Sequence, residues 1–256
     1  MNTRERIAEL CKAMKLSARI AENAMSATGK TNQEYLINLL QSEVDFRRNA
    51  RITNRINEAK FPYSESFEQF IPDEVVFPDS LSVEDCKDLV FLDKKKNILM
   101  YGNPGTGKTM LSICIGLQAC RSCIPVRFFR VESLIAKLKE SHKEGRLTSF
   151  KEKHSSARLI ILDEFGYIPY DLEGAQLLFN FISEFYQKAS IIMTTNKEFS
   201  EWREILLDPK LTKAFAGRII HHCELVVFPG EDRRISNSNI SKMYRKLMKE
   251  SDIEDM

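Results

Sequence analysis

The chain has 256 residues, of which 43% are hydrophobic and 29% are charged, and its formal net charge at pH 7 is +2. This composition is typical of a globular protein, and the charge is too small to indicate nucleic-acid binding by itself. No run of about 18 uninterrupted apolar residues is present, which excludes an ordinary membrane span. The first residues enter a charged helical pattern instead of a signal-peptide core, so we expect a cytoplasmic protein with no membrane partner.

Residues 1–60 predict a small all-helical N-terminal domain for oligomerisation or for binding DNA or a partner. They contain one glycine and no proline, and their apolar residues recur at helical spacing. Thr31 and Glu34 have the spacing of a capping box, which predicts a long helix from there to about Lys60. Residues 61–80 contain three prolines and predict a linker, or an extended segment lying on the next domain.

Residues 81–235 predict an α/β domain. After a short helix over 83–92, short apolar segments alternate with longer helical patterns. Strands are predicted at 97–101, 126–130, 159–162, 190–194 and 224–228, and helices at 108–121, 131–140, 173–188 and 210–222. Such alternation predicts a parallel sheet flanked by helices. Residues 236–256 are expected to form a polar tail with a short basic helix.

A glycine-rich segment, GNPGTGKT at 102–109, lies between a predicted strand and a predicted helix. It matches the phosphate-loop pattern G-x-x-x-x-G-K-T, whose backbone N–H groups and following helix start surround an anion. A plain turn is the alternative, but a turn needs neither the lysine nor the hydroxyl. Lys108 is expected to reach the β- and γ-phosphates, and the Thr109 hydroxyl to hold Mg²⁺. The nucleotide-binding residues predicted here are Asn103, Pro104, Gly105, Thr106, Gly107, Lys108 and Thr109.

Polar side chains follow two further predicted strands. Asp163 and Glu164 end an apolar run, and Asn196 ends another. Asp163 is expected to hold Mg²⁺ together with Thr109, while Glu164 orients and polarises the attacking water. The ends of parallel strands meet at one edge of a sheet, so Asn196 is expected in the same crevice, bonded to the water or the γ-phosphate. A solvated strand end and a turn residue are the ordinary alternatives for these positions.

The order and spacing of these three motifs resemble those of the AAA+ ATPases. Further segments are similar to the IstB family, whose ATPases assist the transposase of a class of bacterial insertion sequences; they lie at 163–169, 177–183, 195–202, 208–209 and 217–222. The N-terminal helix with its AKFP ending is also similar, so the resemblance covers nearly the whole chain. The helicase loader DnaC shares part of the ATPase pattern.

The resemblance implies two arginines and an oligomer. In AAA+ assemblies an arginine of one subunit completes the ATP site of its neighbour, and Arg218 matches that place. It would stabilise the charge that accumulates on the γ-phosphoryl oxygens. The alternative is a cation at the end of a helix that faces carbonyls or solvent. Arg234 is implied as a contact to the nucleotide within its own subunit. A homo-oligomer with ATP sites at subunit junctions follows from this pattern.

Two basic regions are candidates for DNA contact. Arg47, Arg51 and Arg55 recur every four residues along the long N-terminal helix. A second cluster, residues 137–158, holds seven Lys or Arg against three acids, and its predicted DNA-binding members are Lys137, Lys143, Arg146, Lys151 and Lys153. A solvated helix face is the ordinary alternative for both regions. Neither region carries a base-reading signature, so any binding is expected to be largely independent of DNA sequence.

The resulting hypothesis is an ATPase with ATP and Mg²⁺ as cofactors. It would self-assemble on duplex DNA and assist a cognate transposase in selecting and using a target, with hydrolysis as a timing or release step. A DnaC-like replicative helicase loader is the first alternative. A nucleotide-dependent DNA scaffold with negligible turnover is the second, and Glu164 argues against it because binding alone needs no water-activating acid. A small-molecule kinase with the same loop is the third.

Overall fold

The computed structural model describes residues 2–72 and 74–230. The chain divides into two compact units, one ending at Asn54 and the other beginning at Arg55. This division falls six residues before the predicted end of the helical domain at residue 60. Arg234 and the predicted polar tail lie outside the described residues. Within the described residues, no helix is both long and apolar enough to cross a bilayer.

The first unit is helical. Its helices are α1 (Thr3–Ala13), α2 (Arg19–Asn23) and the first part of α3 (Asn32–Ala59). Cys11, Ile20 and Leu39 form the centre of a small apolar core. The Thr31 hydroxyl accepts the Glu34 backbone N–H at 3.1 Å and thereby caps α3, as the capping box predicts. The helix ends just before Phe61-Pro62, so both ends of the predicted long helix are confirmed.

The second unit contains a five-stranded parallel sheet. Its strands are β1 (Asn97–Gly102), β2 (Val126–Arg130), β3 (Leu159–Phe165), β4 (Ser190–Thr195) and β5 (Cys223–Phe228). Their spatial order is β2-β3-β4-β1-β5, and every pairing is parallel. All five predicted strands are therefore confirmed.

Helices cover both faces of the sheet. Those of the second unit that follow the end of α3 are α4 (Val83–Asp88), α5 (Val90–Asp93), α6 (Lys108–Arg121), α7 (Val131–Lys143), α8 (Leu147–His154), α9 (Leu172–Phe185), α10 (Trp202–Leu206) and α11 (Pro209–Ile220), with a 3-10 helix at Phe199–Glu201. The single helix predicted over 83–92 is two helices, because Leu89 adopts a left-handed φ of 61° and breaks it. The short helices α8 and α10 were not predicted, since each has too few turns for a clear period.

Two apolar clusters pack on opposite faces of the sheet. Ile160 and Leu162 of β3 contribute to one, and Leu159 and Ile161 to the other, as the alternation of a strand requires. The second cluster also takes side chains from the segment at 61–80, including buried Phe70. Val76 pairs with Val227 of β5 through backbone hydrogen bonds. The segment is therefore the extended chain lying on the α/β unit, and not a free linker.

Candidate functional site

The phosphate loop leaves the carboxyl end of β1 and enters α6. Gly102 has φ +151°, and a Cβ at this position would lie 2.1 Å from the Phe228 carbonyl oxygen, so only glycine fits. Gly107 precedes α6 with φ +104°, and no side chain caps the helix start. The first N–H groups of α6 are therefore left to a ligand, which is the arrangement that binds phosphate.

The Lys108 ammonium lies beneath this loop. Its Nζ donates to the carbonyl oxygens of Gly102 at 2.7 Å and Asn103 at 2.6 Å. The residue is buried, so the charge sits in a partly dry environment where its attraction to a phosphate is stronger than in water. Lys108 also lines the cavity at this edge of the sheet, where its predicted contact with phosphate remains a prediction.

Asp163 is almost fully buried at the end of β3. Its Oδ1 accepts hydrogen bonds from the hydroxyls of Thr109 and Thr194, both at 2.7 Å. Its Oδ2 is buried and has no hydrogen-bond partner among the described residues. An unpartnered buried carboxylate oxygen is costly unless a cation or an ordered water meets it. The donor set, a carboxylate beside a hydroxyl, is the oxygen chemistry that Mg²⁺ prefers, so these residues fit the predicted metal.

A β-bulge separates Asp163 from Glu164. Pairing of β3 with β4 is regular as far as Leu162 opposite Met193 and resumes at Phe165 opposite Thr195. Two residues of β3 therefore face one residue of β4, Thr194. Glu164 adopts φ +61° and is the only exposed residue of β3. The bulge thus buries one carboxylate and presents the other to solvent, as their predicted separate roles require.

A cavity of about 570 Å³ brings most of the predicted residues together, although Asn103 and Thr106 of the loop are not among the residues that line it. Thr109, Asp163, Glu164 and Asn196 all line it, with the loop residues Pro104, Gly105, Gly107 and Lys108. This volume lies within the range of small-molecule sites. The expectation that Asn196 faces the same crevice as the acids is confirmed by this geometry.

Arg218 does not lie in this cavity. It belongs to the last turn of α11, where its guanidinium carbon sits 4.2 Å from the centre of the Phe179 ring. Its Nη1 is 3.4 Å from the Ala214 carbonyl oxygen. Arg218 lines a different cavity, formed with residues that precede β1, β4 and β5. It therefore lies at the amino-terminal edge of the sheet, opposite the phosphate loop.

Several residues of the site were not predicted. The Arg130 Nε, at the end of β2, lies 3.8 Å from Glu164 Oε2, and Arg130 lines the cavity. Tyr63 and Glu65, from the segment after α3, also line it. Burial, and then the negative charge of Asp163, raise the pKa of Tyr63. The position of Arg130 at the end of a predicted strand was a usable signal, whereas nothing local indicated Tyr63 or Glu65.

The predicted DNA-binding residues differ in whether they form ion pairs. Arg47 is paired with Glu43 at 2.7 Å, and Arg55 with Glu58 at 3.2 Å. Arg146 is paired with Glu144, and Lys151 with Glu184 at 3.0 Å. Four cations are exposed and form no ion pair within the described part of the chain; these are Arg51, Lys137, Lys143 and Lys153.

Comparison with known proteins places these features in a family. The description "IstB-like ATP binding protein" matches residues 4–241. The chain is 36% identical to an ATP-binding protein assigned to insertion sequence IS21 of Pseudomonas aeruginosa, over 84% of this chain and 81% of that protein. It is 32% identical to the corresponding protein of insertion sequence IS5376 from Geobacillus stearothermophilus, over 95% of this chain and 99% of that one.

A solved structure supports the fold. The AMPPCP-bound DnaA of Aquifex aeolicus superposes with a TM-score of 0.54 at 19% identity, over 71% of this chain and 57% of that one. This similarity concerns the arrangement of sheet and helices alone. Because the family match extends over nearly all of the sequence, the chain belongs to the IstB-like ATP binding proteins and is an ATPase associated with transposition.

Proposed function

We propose that this ATPase self-assembles on duplex DNA with ATP and Mg²⁺ and assists a cognate transposase in selecting and using a target. One observation carries the assembly: Arg218 and Glu164 lie at opposite edges of one sheet. An arginine in that position acts on ATP only when a second copy presents it. The ATP site would then be completed at a junction between subunits, so that hydrolysis depends on assembly.

Within one subunit, the residues of the large cavity divide the work of ATP hydrolysis. Lys108 and the backbone N–H groups of Gly105, Gly107 and Thr109 bind and orient the phosphates, and Thr109 and Asp163 hold Mg²⁺. The ion, when bound, neutralises charge on the phosphate oxygens. Glu164 accepts a proton from water at its exposed carboxylate, and Asn196 hydrogen-bonds the water or the γ-phosphate. Arg234, outside the described residues, is proposed as a further contact to the nucleotide.

DNA contact is proposed for the second basic cluster. Lys137 and Lys143 lie on α7, and Lys153 on α8, where they remain exposed and without an ion pair in the described structure. Cations without a carboxylate partner are available to phosphates, and such contacts carry no base specificity. Arg51 offers the same chemistry on α3. Arg47, Arg55, Arg146 and Lys151 would first have to exchange their carboxylates for phosphates, so we expect smaller contributions from these four.

The transposition role is favoured over the DnaC-like loader by the family. The two relatives described above are ATP-binding proteins of insertion sequences. A transposase encoded with such a sequence is therefore the proposed protein partner.

The experiment that tests this function measures binding to duplex and to single-stranded DNA of equal length. Each would be titrated with ATP, with ADP and without nucleotide, at one fixed salt concentration because phosphate contacts are salt-dependent. We expect tight, ATP-dependent binding to duplex of any sequence. Preference for single strands, or no binding in any nucleotide state, would contradict the proposal and favour the helicase loader.

A further inference from the structure

A second cavity, which contains Arg218, lies where the chain enters β1, β4 and β5. Its volume is about 290 Å³. Asn97, the first residue of β1, and Ile191, the second residue of β4, form part of its wall. The phosphate loop lies beyond the far end of β1, and six residues of strand span about 20 Å. One copy of the chain therefore cannot bring both cavities to one nucleotide.

The lining of this cavity is strongly basic. No carboxylate is among the described residues that line it, and its basic side chains are Lys94, Lys95, Arg218, His221 and His222, beside the phenol of Tyr186. Lys94, Lys95 and Arg218 form no ion pair with any acid of the described residues. The neighbouring acid Glu224 is already bonded to Lys96 and to the Ser80 hydroxyl. Asp85 and Glu224 act on the charge of Lys94 from beyond ion-pair distance, so within the described chain no carboxylate pairs directly with these three cations.

Arg218 is held in place by the packing of its helix against the sheet. The buried Asn97 side chain donates from Nδ2 to the Ile219 carbonyl at 2.9 Å and accepts the Ile191 N–H at 2.9 Å. These two bonds tie the last turn of α11, which carries Arg218, to the sheet. The Phe179 ring supports the Arg218 guanidinium from one side. The cation therefore needs little rearrangement to meet an anion, which lowers the entropic cost of binding.

The size and charge of the cavity indicate its ligand class. A volume near 290 Å³ is at the lower end of small-molecule sites and suits phosphate groups better than a whole nucleotide. The complementary surface is the opposite edge of the sheet, where Glu65 and Glu164 line the ATP cavity and a triphosphate would add further negative charge. In a head-to-tail contact, the amino-terminal edge of the sheet in one copy meets the carboxyl-terminal edge in the next. Such a contact would place the basic cavity of one copy against the negatively charged ATP cavity of its neighbour.

We propose that Lys94 and Lys95, together with Arg218, form an anion site that receives the phosphate groups of an ATP held by a second copy of the chain. This inference deepens the proposed function and rests on its assembly. Arg218 offers a planar, directional group, whereas the two ammonium groups act as point charges that can follow the phosphates as they move. All three cations would stabilise the negative charge that develops on the transferring phosphoryl group in the transition state.

The test uses the full chain with Lys94→Gln and Lys95→Gln combined. We expect ATP hydrolysis to fall by about tenfold, since preorganised charge at a transferring phosphoryl group contributes at least this much. The double variant keeps every residue of the ATP site within its own subunit. At a protein concentration too low for assembly, its affinity for mant-ATP should therefore equal that of the wild-type protein. Lys210→Gln with Lys213→Gln is the matched control, because both lysines are exposed on α11 and outside the cavity. Lys94→Arg with Lys95→Arg should retain most of the activity and shows that charge is required.

Mixing of variants then locates the effect. The lysine variant keeps Glu164, and a Glu164→Gln variant keeps the basic cavity, so a junction between them can be complete. We expect a mixture to hydrolyse more ATP than the sum of the two alone. A mixture equal to that sum, or a lysine variant with wild-type activity, would overturn the inference.

Arg218→Ala mixed with Glu164→Gln is run in parallel. Recovery with the arginine variant alone would overturn the lysine site but leave the proposed function standing, whereas recovery with neither would also contradict the proposed assembly.

Discussion

Thr194 of β4 bonds to both residues of the bulge opposite it. Its hydroxyl donates to Asp163 Oδ1 at 2.7 Å and accepts the Glu164 backbone N–H at 2.9 Å. One buried side chain therefore fixes the carboxylate that we assign to Mg²⁺ and the backbone of the residue that we assign to water activation. The separation of the two acids depends on this hydroxyl as much as on the bulge.

Replacing Thr194 by valine should impair the site without emptying the core. Valine has nearly the same shape, but it leaves the Glu164 N–H and one lone pair of Asp163 without a partner, at a cost of about 1–3 kcal/mol. We expect a higher Mg²⁺ concentration for half-maximal ATP hydrolysis and a rate about tenfold lower. Thr194→Ser keeps the hydroxyl and should remain close to wild type. An unchanged Mg²⁺ requirement in the valine variant would show that Thr194 does not position these groups.

Glu164→Gln should separate ATP binding from ATP hydrolysis. Glutamine keeps the shape of the side chain but cannot accept the proton of water, and general bases typically contribute 10²–10⁴-fold. We expect about a hundredfold or greater loss of the hydrolysis rate with mant-ATP affinity retained. Glu65→Gln removes a charge from the same cavity at a position to which no proton transfer is assigned, and should retain most of the rate. Equal losses from both changes would indicate a general charge effect.

Much of this site could be predicted because its motifs lie in continuous segments. The phosphate loop must follow a strand and begin a helix, so its sequence fixes its place relative to β1 and α6. Thr194 could not be predicted, because its role arises from the bulge, and a bulge depends on how two strands distant in sequence pair. Tyr63 and Glu65 reach the cavity only because residues 61–80 lie on the α/β unit. Arg47 and Arg55 were predicted as DNA contacts from their spacing, but nearby glutamates already pair with them.

The buried position of His154 leads us to expect a loss of stability at mildly acidic pH. Burial, followed by the positive charges of Arg127 and Lys153, lowers the pKa of His154 to about 4. Its ring packs among Phe129, Phe150 and Phe181. In the unfolded chain the His154 ring is therefore protonated below about pH 6.5, whereas in the folded chain it is protonated only below about pH 4. The free energy of unfolding should fall as the pH drops through this window.

The check on His154 is a set of urea unfolding curves between pH 7.5 and 4.5. His154→Phe removes the titrating ring but retains an aromatic group, so its stability should decline less steeply with acidity. His142 is exposed on α7 and provides the control, His142→Phe, which should leave the slope unchanged. Parallel declines for His154→Phe and the wild-type protein would rule out His154 as the titrating group.

Gly102→Ala should damage both the fold and the site. The added methyl group would lie 2.1 Å from the Phe228 carbonyl oxygen, and φ at this position is +151°. Phe228 belongs to the strand that pairs with β1, so relief of the clash requires β5 or the start of the phosphate loop to move. Overpacking of this kind costs about 1–3 kcal/mol, and we expect a matching fall in the free energy of unfolding with weaker mant-ATP binding.

The control for this change is Gly145→Ala. Gly145 also has a positive φ, +67°, but a Cβ there meets no atom within 4 Å. It should therefore cost only the intrinsic preference of glycine for this conformation, about 1 kcal/mol, and leave nucleotide affinity unchanged. Comparing the two variants separates backbone preference from the clash with Phe228. If they lost equal stability and both bound mant-ATP normally, close packing of the phosphate loop against β5 would not be what holds the loop in shape.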